Sequence, residues 1–316
     1  MKVLLFTHEQ DIDGMGSAIL GNIAFSRLEY VPCKTFEIDS NFRKYIDDKK
    51  IYEYDLIFVT DLCLHEPILS IINNDEILRN KVLVLDHHKT EIANNKYDFV
   101  NIVLECSKGA ASGTYLFYEY LINNKYLDNQ EILEELVELT RQYDTWEWSK
   151  YNNQKARMLH LLFEQVGYKK YIEIMLDIIK NNKKIIFSQE ELAIINDWEV
   201  KFKSDSKKIL ENMIVVPVTI DGVEYKVGYM YTEYKYRNDL NQLVKENNIY
   251  DVDLIGMLFP NMDVVSYRGV KDMDVSLVPT YFGGKGHKGA GTNPINNEKF
   301  KKVLVKIKKS KIHHHN

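Results

Sequence analysis

Cysteine is scarce in this chain: Cys33, Cys63 and Cys106 are odd in number and widely spaced. Three such residues make neither a disulfide framework nor a structural zinc set, so a reducing cytoplasm is the expected compartment. Proline (6) and glycine (15) are also few among 316 residues, which excludes collagen and low-complexity filament. No uninterrupted run of about 18 apolar residues occurs, so no membrane span is expected. Met1 to Phe6 enters an apolar run without a basic leader, and no secretion signal is expected either. Positive charge is not in excess: 41 Lys and Arg against 46 Asp and Glu leave a formal charge of -5. Such a chain is poorly suited to gripping a long duplex through its phosphates, although a short anionic ligand in a local site stays open. The terminal His313, His314 and His315 read as a purification-tag remnant, and residues 313–316 are set aside.

What is present is globular in character. Hydrophobic residues make up 45% and charged residues 28%. At roughly 100 to 200 residues per domain the length predicts two domains. Short apolar runs at Val3 to Thr7, Tyr30 to Phe36, Asp55 to Thr60 and Lys81 to Leu85 alternate with helical patterns, as in a parallel sheet wrapped by helices. From Gly109 to about Lys180 the apolar spacing turns helical, with Leu116, Leu121, Ile132, Leu133, Leu136 and Val137 among its faces. Ser188 and Glu191 form a capping-box signature that opens a long amphipathic helix to about Met213. A second strand-rich unit follows, with Val215 to Ile220 and Tyr225 to Tyr231 flanking the hairpin signal Asp221-Gly222, then Leu254 to Phe259 and Asp263 to Tyr267. The predicted division is 1–187, a linker helix at 188–213, and 214–312.

Ligand crevices in open α/β sheets lie beyond the carboxyl ends of the strands, so His8, Asp61 and Asp86 are expected to converge there. The first cluster is His8-Glu9-Gln10-Asp11-Ile12-Asp13-Gly14, expected as a loop before a helix beginning near Met15. Its carboxylates and imidazole suit hard divalent cations, while a solvated loop with an Asp helix cap is the bland alternative. Asp61 after Thr60 reads by itself as a cap. In Asp86-His87-His88, adjacent side chains on extended backbone point opposite ways, so one histidine could bind metal while the other faces substrate. Asp86 or a backbone carbonyl could then orient the ligating ring. Asp144 ends the predicted helix from Gln130. The segment Tyr281 to Gly291 carries five glycines in nine residues, with Lys285, His287 and Lys288. It reads either as a flexible turn or as an anion-binding nest, helped by Arg268 at a strand end. His65, His160 and Cys63 are read as ordinary surface or core residues.

Taken in order, D-x-D-G after His8, Thr60-Asp61, Asp86-His87-His88, Asp144-Thr145 and the late G-G-x-G-H-x-x-A-G resemble the DHH/DHHA1 phosphoesterase family. The short length and the Tyr143 to Trp146 segment look most like the bacterial nano-RNases of the NrnB type. The resemblance implies a catalytic DHH domain holding two divalent cations, Mn2+ above all. It also implies a smaller α/β DHHA1 domain that binds substrate across a cleft. By motif position His8 and Asp11 would hold one ion, Asp13, His87 and Asp144 the other, and Asp61 would bridge. Asp86 would stand behind them, His88 would face the scissile phosphate, and Arg268, Gly284, Lys285, Gly286 and His287 would hold the substrate's far end. Two departures stand out: the three-residue step from His8 to Asp11, and Lys285 in place of a glycine.

Two ions about 3.5 to 4 Å apart can activate water and stabilise both attacking and leaving oxygens, so no side-chain nucleophile is needed. The expected activity is hydrolysis of short RNA to mononucleotides, with 3'-phosphoadenosine 5'-phosphate as a further substrate. A dinucleotide phosphodiesterase, cyclic or linear, a RecJ-like DNA exonuclease, a polyphosphate or pyrophosphate hydrolase and a non-catalytic nucleotide-binding regulator remain as alternatives. The expected partners are short oligoribonucleotides or dinucleotides, with neither membrane nor long duplex; a homodimer is one expected assembly. Seven lysines from Lys299 onward read as a solvated helix face.

Overall fold

Four of the apolar runs become neighbouring parallel strands, because each is too short for a helix and is followed by a helix that carries the chain back. The structure is a computed structural model describing residues 1–247 and 251–313, with the side chains of residues 287 and 310–313 outside the description. The elements run β1 (Val3–His8), α1 (Ile12–Ala24), β2 (Leu28–Cys33), α2 (Ile38–Asp47), β3 (Leu56–Thr60), α3 (Glu66–Asn74), α4 (Glu76–Arg79), β4 (Val82–Asp86) and β5 (Val100–Ile102). The five strands form one parallel sheet in the order β2-β1-β3-β4-β5. Strand order reverses direction between β1 and β3, and in such sheets the ligand crevice opens there. One sheet face sends Leu4, Phe6, Ile57 and Val59 into a core with Phe42, Leu69 and Ile72 of α2 and α3. On the other, Phe58 meets Phe117 edge-on at 5.0 Å and Phe25 at 6.1 Å.

Two boundaries differ from the expectation. β2 ends at Cys33, and Phe36 lies beyond it, 79% exposed. An edge strand tolerates Pro32, and Phe36 belongs to the turn into α2 rather than to the sheet. Helix α1 starts at Ile12, three residues early, because Asp11 caps it by accepting from Gly14 N.

A hairpin of β6 (Glu105–Cys106) and β7 (Gly109–Ala110) follows, so helix does not begin at Gly109. It begins with α5 (Gly113–Asn123), capped by Ser112, then α6 (Glu131–Asp144), α7 (Glu147–Lys150) and α8 (Gln154–Asn181), which Gly167 interrupts at φ 73°. The capping box is present at the start of α9 (Gln189–Glu211): Ser188 N donates to Glu191, and Glu191 N to Ser188 Oγ. The chain forms two compact units, Met1–Asn196 and Asp197–Asn316, which divide inside α9.

In the second unit β8 (Ile214–Ile220) and β9 (Val223–Tyr231) pair through Asp221 (φ 49°) and Gly222 (φ 82°), the two positive φ values of a type I′ turn. Helix α10 (Arg237–Asn247), which the sequence reading did not anticipate, links β9 to β10 (Leu254–Phe259), parallel to it. Parallel neighbours require such a crossover. Next come β11 (Val264–Gly269), α11 (Leu277–Tyr281), β12 (Lys285–His287), β13 (Ala290–Pro294) and α12 (Glu298–His313). The sheet order is β12-β13-β11-β10-β9-β8, and Tyr229, Tyr267, Phe282 and Phe300 fill one of its faces. β11 starts one residue late, because Asp263 (φ 53°) belongs to the preceding turn, and runs on to Gly269, so Arg268 is its penultimate residue, opposite Ile255 and Ala290. The chain is α/β throughout.

A polar cluster ties β2 to α2 and to the short turn beyond that helix. Glu29 accepts from Tyr45 Oη (2.6 Å), Lys50 Nζ (2.7 Å) and Tyr54 Oη (2.5 Å). Burial opposes its charge, but these three donors outweigh it and hold the carboxyl down to about 2. A carboxylate depressed from the ordinary 4.5 contributes stability above that value and loses it as pH falls towards 2. The side chain is 37% exposed, so solvent screening leaves about 1 kcal/mol. Glu29→Gln should cost that amount at neutral pH and progressively less below the ordinary carboxyl pKa. Denaturant melts across the acid range check this, and a pH-independent difference contradicts it.

Candidate metal centre

The crevice at the strand-order reversal is lined by acids and imidazoles. His8 ends β1, Asp61 follows β3, and Asp86 ends β4 with His87 and His88 after it. Asp11 serves two neighbours with different oxygens: Oδ1 caps α1, and Oδ2 lies 2.7 Å from His8 Nδ1. Asp11 is thus the helix cap and also lies against His8. The three-residue step from His8 to Asp11 still brings them together, since the cap residue turns the chain back on the strand end.

Asp13 lies in the first turn of α1 and is fully buried. Its oxygens accept from Gly113 N (2.6 Å) and Thr114 N (2.9 Å), the first amides of α5, while Thr114 Oγ1 donates to the Asp13 carbonyl. A helix N-terminus favours such a carboxylate. His87 Nε2 lies 3.2 Å from Asp61 Oδ1, 3.5 Å from Asp144 Oδ2 and 3.6 Å from Asp13 Oδ2. On its other side Asp61 Oδ2 is 3.6 Å from His8 Nδ1.

Three overlapping groups bring ligand-type atoms within 4.8 Å of one another: His8, Asp11 and Asp61; Asp13, His87 and Asp144; and Asp61, Asp86, His87 and His88. Asp61 touches both of the first two. His8 Nε2 and Asp61 Oδ2 are buried without a hydrogen-bond partner, an arrangement that costs free energy unless something completes it. The donors are carboxylate oxygens and imidazole nitrogens with no thiolate, and this set fits divalent cations such as Mg2+ and Mn2+.

The electrostatics express the same demand for positive charge. Burial disfavours an imidazolium, yet Asp11 and Asp61 outweigh it and push His8 up to about 12. Burial likewise opposes His87, which Asp61, Asp144 and Asp13 raise to about 11. Asp61 is buried, but His8 and His87 hold it well below the usual carboxylate range. Burial and the facing Asp61 and Asp144 push Asp13 upward. Asp144 reaches about 7, raised chiefly by burial, with His87 opposing and Asp61 adding to the rise. Protons and metal ions compete for such a pocket, because both neutralise the same carboxylates.

His87 and His88 do not point to opposite sides. Their rings lie 4.5 Å apart at 44°, because β4 has already ended at Asp86. They differ in exposure instead, 13% for the His87 side chain and 51% for His88. Asp86 Oδ1 accepts from His87 N (2.8 Å) and pairs with His88 Nδ1 (2.7 Å), so it orients the outer ring rather than the inner one. Burial opposes the charge on His88, but Asp86 raises it to about 9.

Supporting residues partly escaped the sequence reading. The segment from Gly109 to Thr114 reads in the sequence as close packing or anion contact, and its last two residues do both: a Cβ on Gly113 would lie 2.5 Å from Asp61 Cβ and 2.8 Å from its Cα, and the Gly113 and Thr114 amides meet the Asp13 carboxylate. Arg141, 1% exposed, ties Glu138 (2.8 Å), Glu147 (2.7 Å) and the Ala110 carbonyl (2.9 Å) together around the helix end that carries Asp144. In the sequence it is one charge in an amphipathic helix. His160 is buried and stacks on Tyr143 at 4.3 Å, while His65 is exposed and pairs with Asp39 at 2.8 Å. All three cysteines are free and none joins the ligand groups.

The remaining candidates lie in the second unit. Arg268 Nη1 donates to Ser266 Oγ (3.0 Å) and the Tyr267 carbonyl (2.9 Å). Burial and the neighbouring Arg237 lower its pKa. Gly284 N donates to the Pro279 carbonyl (2.8 Å), and a Cβ there would lie 1.9 Å from Thr292 O, so this glycine has a packing reason. Lys285 and Gly286 pair with Thr292 and Gly291 in β12 and β13. His287 belongs to β12 by its backbone, and its side chain lies outside the described ones.

Residues 2–141 match the DHH family, N-terminal domain, a stretch that contains every ligand-type residue of the crevice except Asp144. With its parallel sheet and its acid–imidazole crevice, this stretch is similar to a DHH N-terminal domain, and the match supports a phosphoesterase. The chain is similar to oligoribonuclease NrnB of Bacillus subtilis (strain 168), with 28% identity over 299 residues, covering 93% of this chain and 73% of that protein. The fold is shared with the DHH domain of a member of a ribosomal-protein family, at a TM-score of 0.62 and 14% identity over 98% of this chain and 86% of that one. It is shared too with the pGpG-specific phosphodiesterase PggH of Vibrio cholerae, at a TM-score of 0.53 and 13% identity over 98% and 99% of the two chains.

The contact between Gly113 and Asp61 yields a direct test. In Gly113→Ala the new methyl must displace Asp61, at a cost of about 1 to 3 kcal/mol. Mn2+ affinity should fall by at least about tenfold, the lower end for disturbed ligand support. Calorimetric Mn2+ titration beside a thermal melt checks both, and native affinity in the variant contradicts the assignment.

Proposed function

We propose that this chain is a Mn2+-dependent phosphodiesterase that hydrolyses very short RNA to mononucleotides, with 3'-phosphoadenosine 5'-phosphate as a second substrate. The observation that carries the reading is the pair of partly buried ligand groups joined through the buried Asp61. Its support from kinship is the oligoribonuclease NrnB, similar across 93% of this chain. His8 and Asp11 would hold one ion, Asp13, His87 and Asp144 the second, and Asp61 both. When bound, a metal pair lowers the pKa of water and neutralises charge on the attacking and leaving oxygens.

The chain's own residues do the rest. The amides of Gly113 and Thr114 keep the Asp13 carboxylate turned into the crevice. Asp86 orients His88 through Nδ1 and favours its charged form, and the exposed ring edge is the group proposed to meet a phosphoryl oxygen. We assign residues 214–312 the substrate-binding role of a DHHA1 domain. Arg268 is half-buried and donates to Ser266 Oγ and the Tyr267 carbonyl, neutral acceptors that suit a guanidinium meant for phosphate. Lys285, Gly286 and His287 are its proposed companions, with Gly284 setting β12 close to β13. Among the described residues no helix is long and apolar enough to cross a membrane, and the proposed setting is the cytoplasm.

Hydrolysis of RNA of two to five residues, long single-stranded DNA, linear and cyclic dinucleotides and polyphosphate, with Mn2+ added and then chelated, tests the reading. Short RNA should be cleaved fastest and only with metal; preference for long DNA or polyphosphate overturns it. Asp61→Ala removes a ligand from both ions, so turnover should fall by about a thousandfold or more, ~4 kcal/mol in the barrier. An Asp61 variant with native turnover refutes the bridging role.

A further inference from the structure

The ligand groups of the crevice are polar, whereas a nucleotide also presents a flat base. Trp146 stands two residues after Asp144 and is 42% exposed. Its backbone is left-handed, with φ 63° and ψ 8°. Bulky residues rarely adopt that conformation, and where they do the surroundings must enforce it.

The surroundings here are specific. Trp146 N donates to the Tyr143 carbonyl at 3.2 Å, and Thr145 Oγ1 donates to the Arg141 carbonyl at 2.8 Å. Glu147, the next residue, is held 2.7 Å from the buried Arg141 guanidinium. The turn is therefore clamped on both sides of Trp146. Beneath the indole lie Tyr143, at 6.4 Å and 29°, and Trp148, at 6.3 Å and 36°. Tyr143 stacks in turn on His160 (4.3 Å, 18°) and Trp148 (6.0 Å, 18°). Trp148 and His160 are buried, at 4% and 3% exposure. A buried aromatic tier thus carries one exposed ring at its edge, next to a residue of the candidate metal centre.

We propose that Trp146 is the stacking platform for a nucleobase of the substrate, seated beside the phosphate that the centre cleaves. The inference rests on the phosphodiesterase reading and adds the subsite that recognises the nucleoside. A platform held by its own fold loses little freedom on binding, so its stacking energy is not spent on ordering the loop. Every base offers a π-face, so the subsite should accept all four bases. Other exposed aromatics of the unit, such as Phe36 and Tyr151, lack this combination of clamp, tier and neighbouring ligand residue.

The test compares AMP with ribose 5-phosphate, which keeps the phosphate and lacks the base. Both are titrated calorimetrically into the Mn2+-loaded native protein, Trp146→Gly and Trp146→Phe. Glycine accepts the left-handed backbone, so Trp146→Gly keeps the turn, and a thermal melt verifies it. The native protein should bind AMP at least about tenfold more tightly than ribose 5-phosphate, within the range of one base–aromatic stack. Trp146→Gly should narrow that gap to under about twofold, and Trp146→Phe should keep most of it. No AMP preference in the native protein, a preference that survives in Trp146→Gly, or equal loss of both ligands overturns the proposal. RNA dinucleotide turnover is measured in parallel. Its absence beside an intact, Trp146-dependent AMP preference sinks the phosphodiesterase reading alone; its presence without AMP preference sinks the platform alone.

Discussion

Negative charge crowded into a buried crevice is the constraint on which the first unit depends. Asp13, Asp61 and Asp86 are each at most 1% exposed, and Asp11 and Asp144 stand close by. Carboxylates at such depth persist only with positive charge or N–H donors around them. Much of the neighbouring architecture supplies these: two imidazoles between the acids, two helix amides on Asp13, and the His87 amide on Asp86.

The provision is incomplete by design of the residues themselves. His8 Nε2 and Asp61 Oδ2 stay without partners although both are buried. A structure that leaves such groups open holds in reserve the free energy that a cation would release, and binding to the folded chain alone stabilises it by mass action. The surrounding packing accordingly leaves little slack. Gly113 passes Asp61 with no room for a methyl group, and the buried Arg141 locks the end of the helix that carries Asp144. Precision in the ligand groups is thus a property of their supports.

Much of the parallel sheet was legible, because apolar runs of strand length ending in His or Asp have few other readings. The failures have physical causes. Phe36 is apolar yet lies past the edge strand, since an edge has no further neighbour to hold the run in register. β11 runs one residue past Arg268, because Gly269 still pairs with Leu254 of β10, a partner that no local pattern marks. Helix α10 has few apolar residues, with only Leu240 and Val244 buried, so its periodicity was too thin to stand out. The pairing of Asp86 with His88 rather than His87 came from where the strand stopped, a matter of one residue.

Residue types and their order determined that acids and imidazoles follow successive strand ends, and hence that a parallel sheet must gather them at one edge. That conclusion needs only the chemistry of each side chain and the topology of short alternating elements. Which oxygen meets which nitrogen was decided by tertiary structure alone. The amides of Gly113 and Thr114 reach Asp13 across 100 and 101 positions of chain, and Asp61 meets both histidines through separate oxygens. Contacts of that separation depend on how helices settle against the sheet to within an ångström, and no local pattern of residues encodes it.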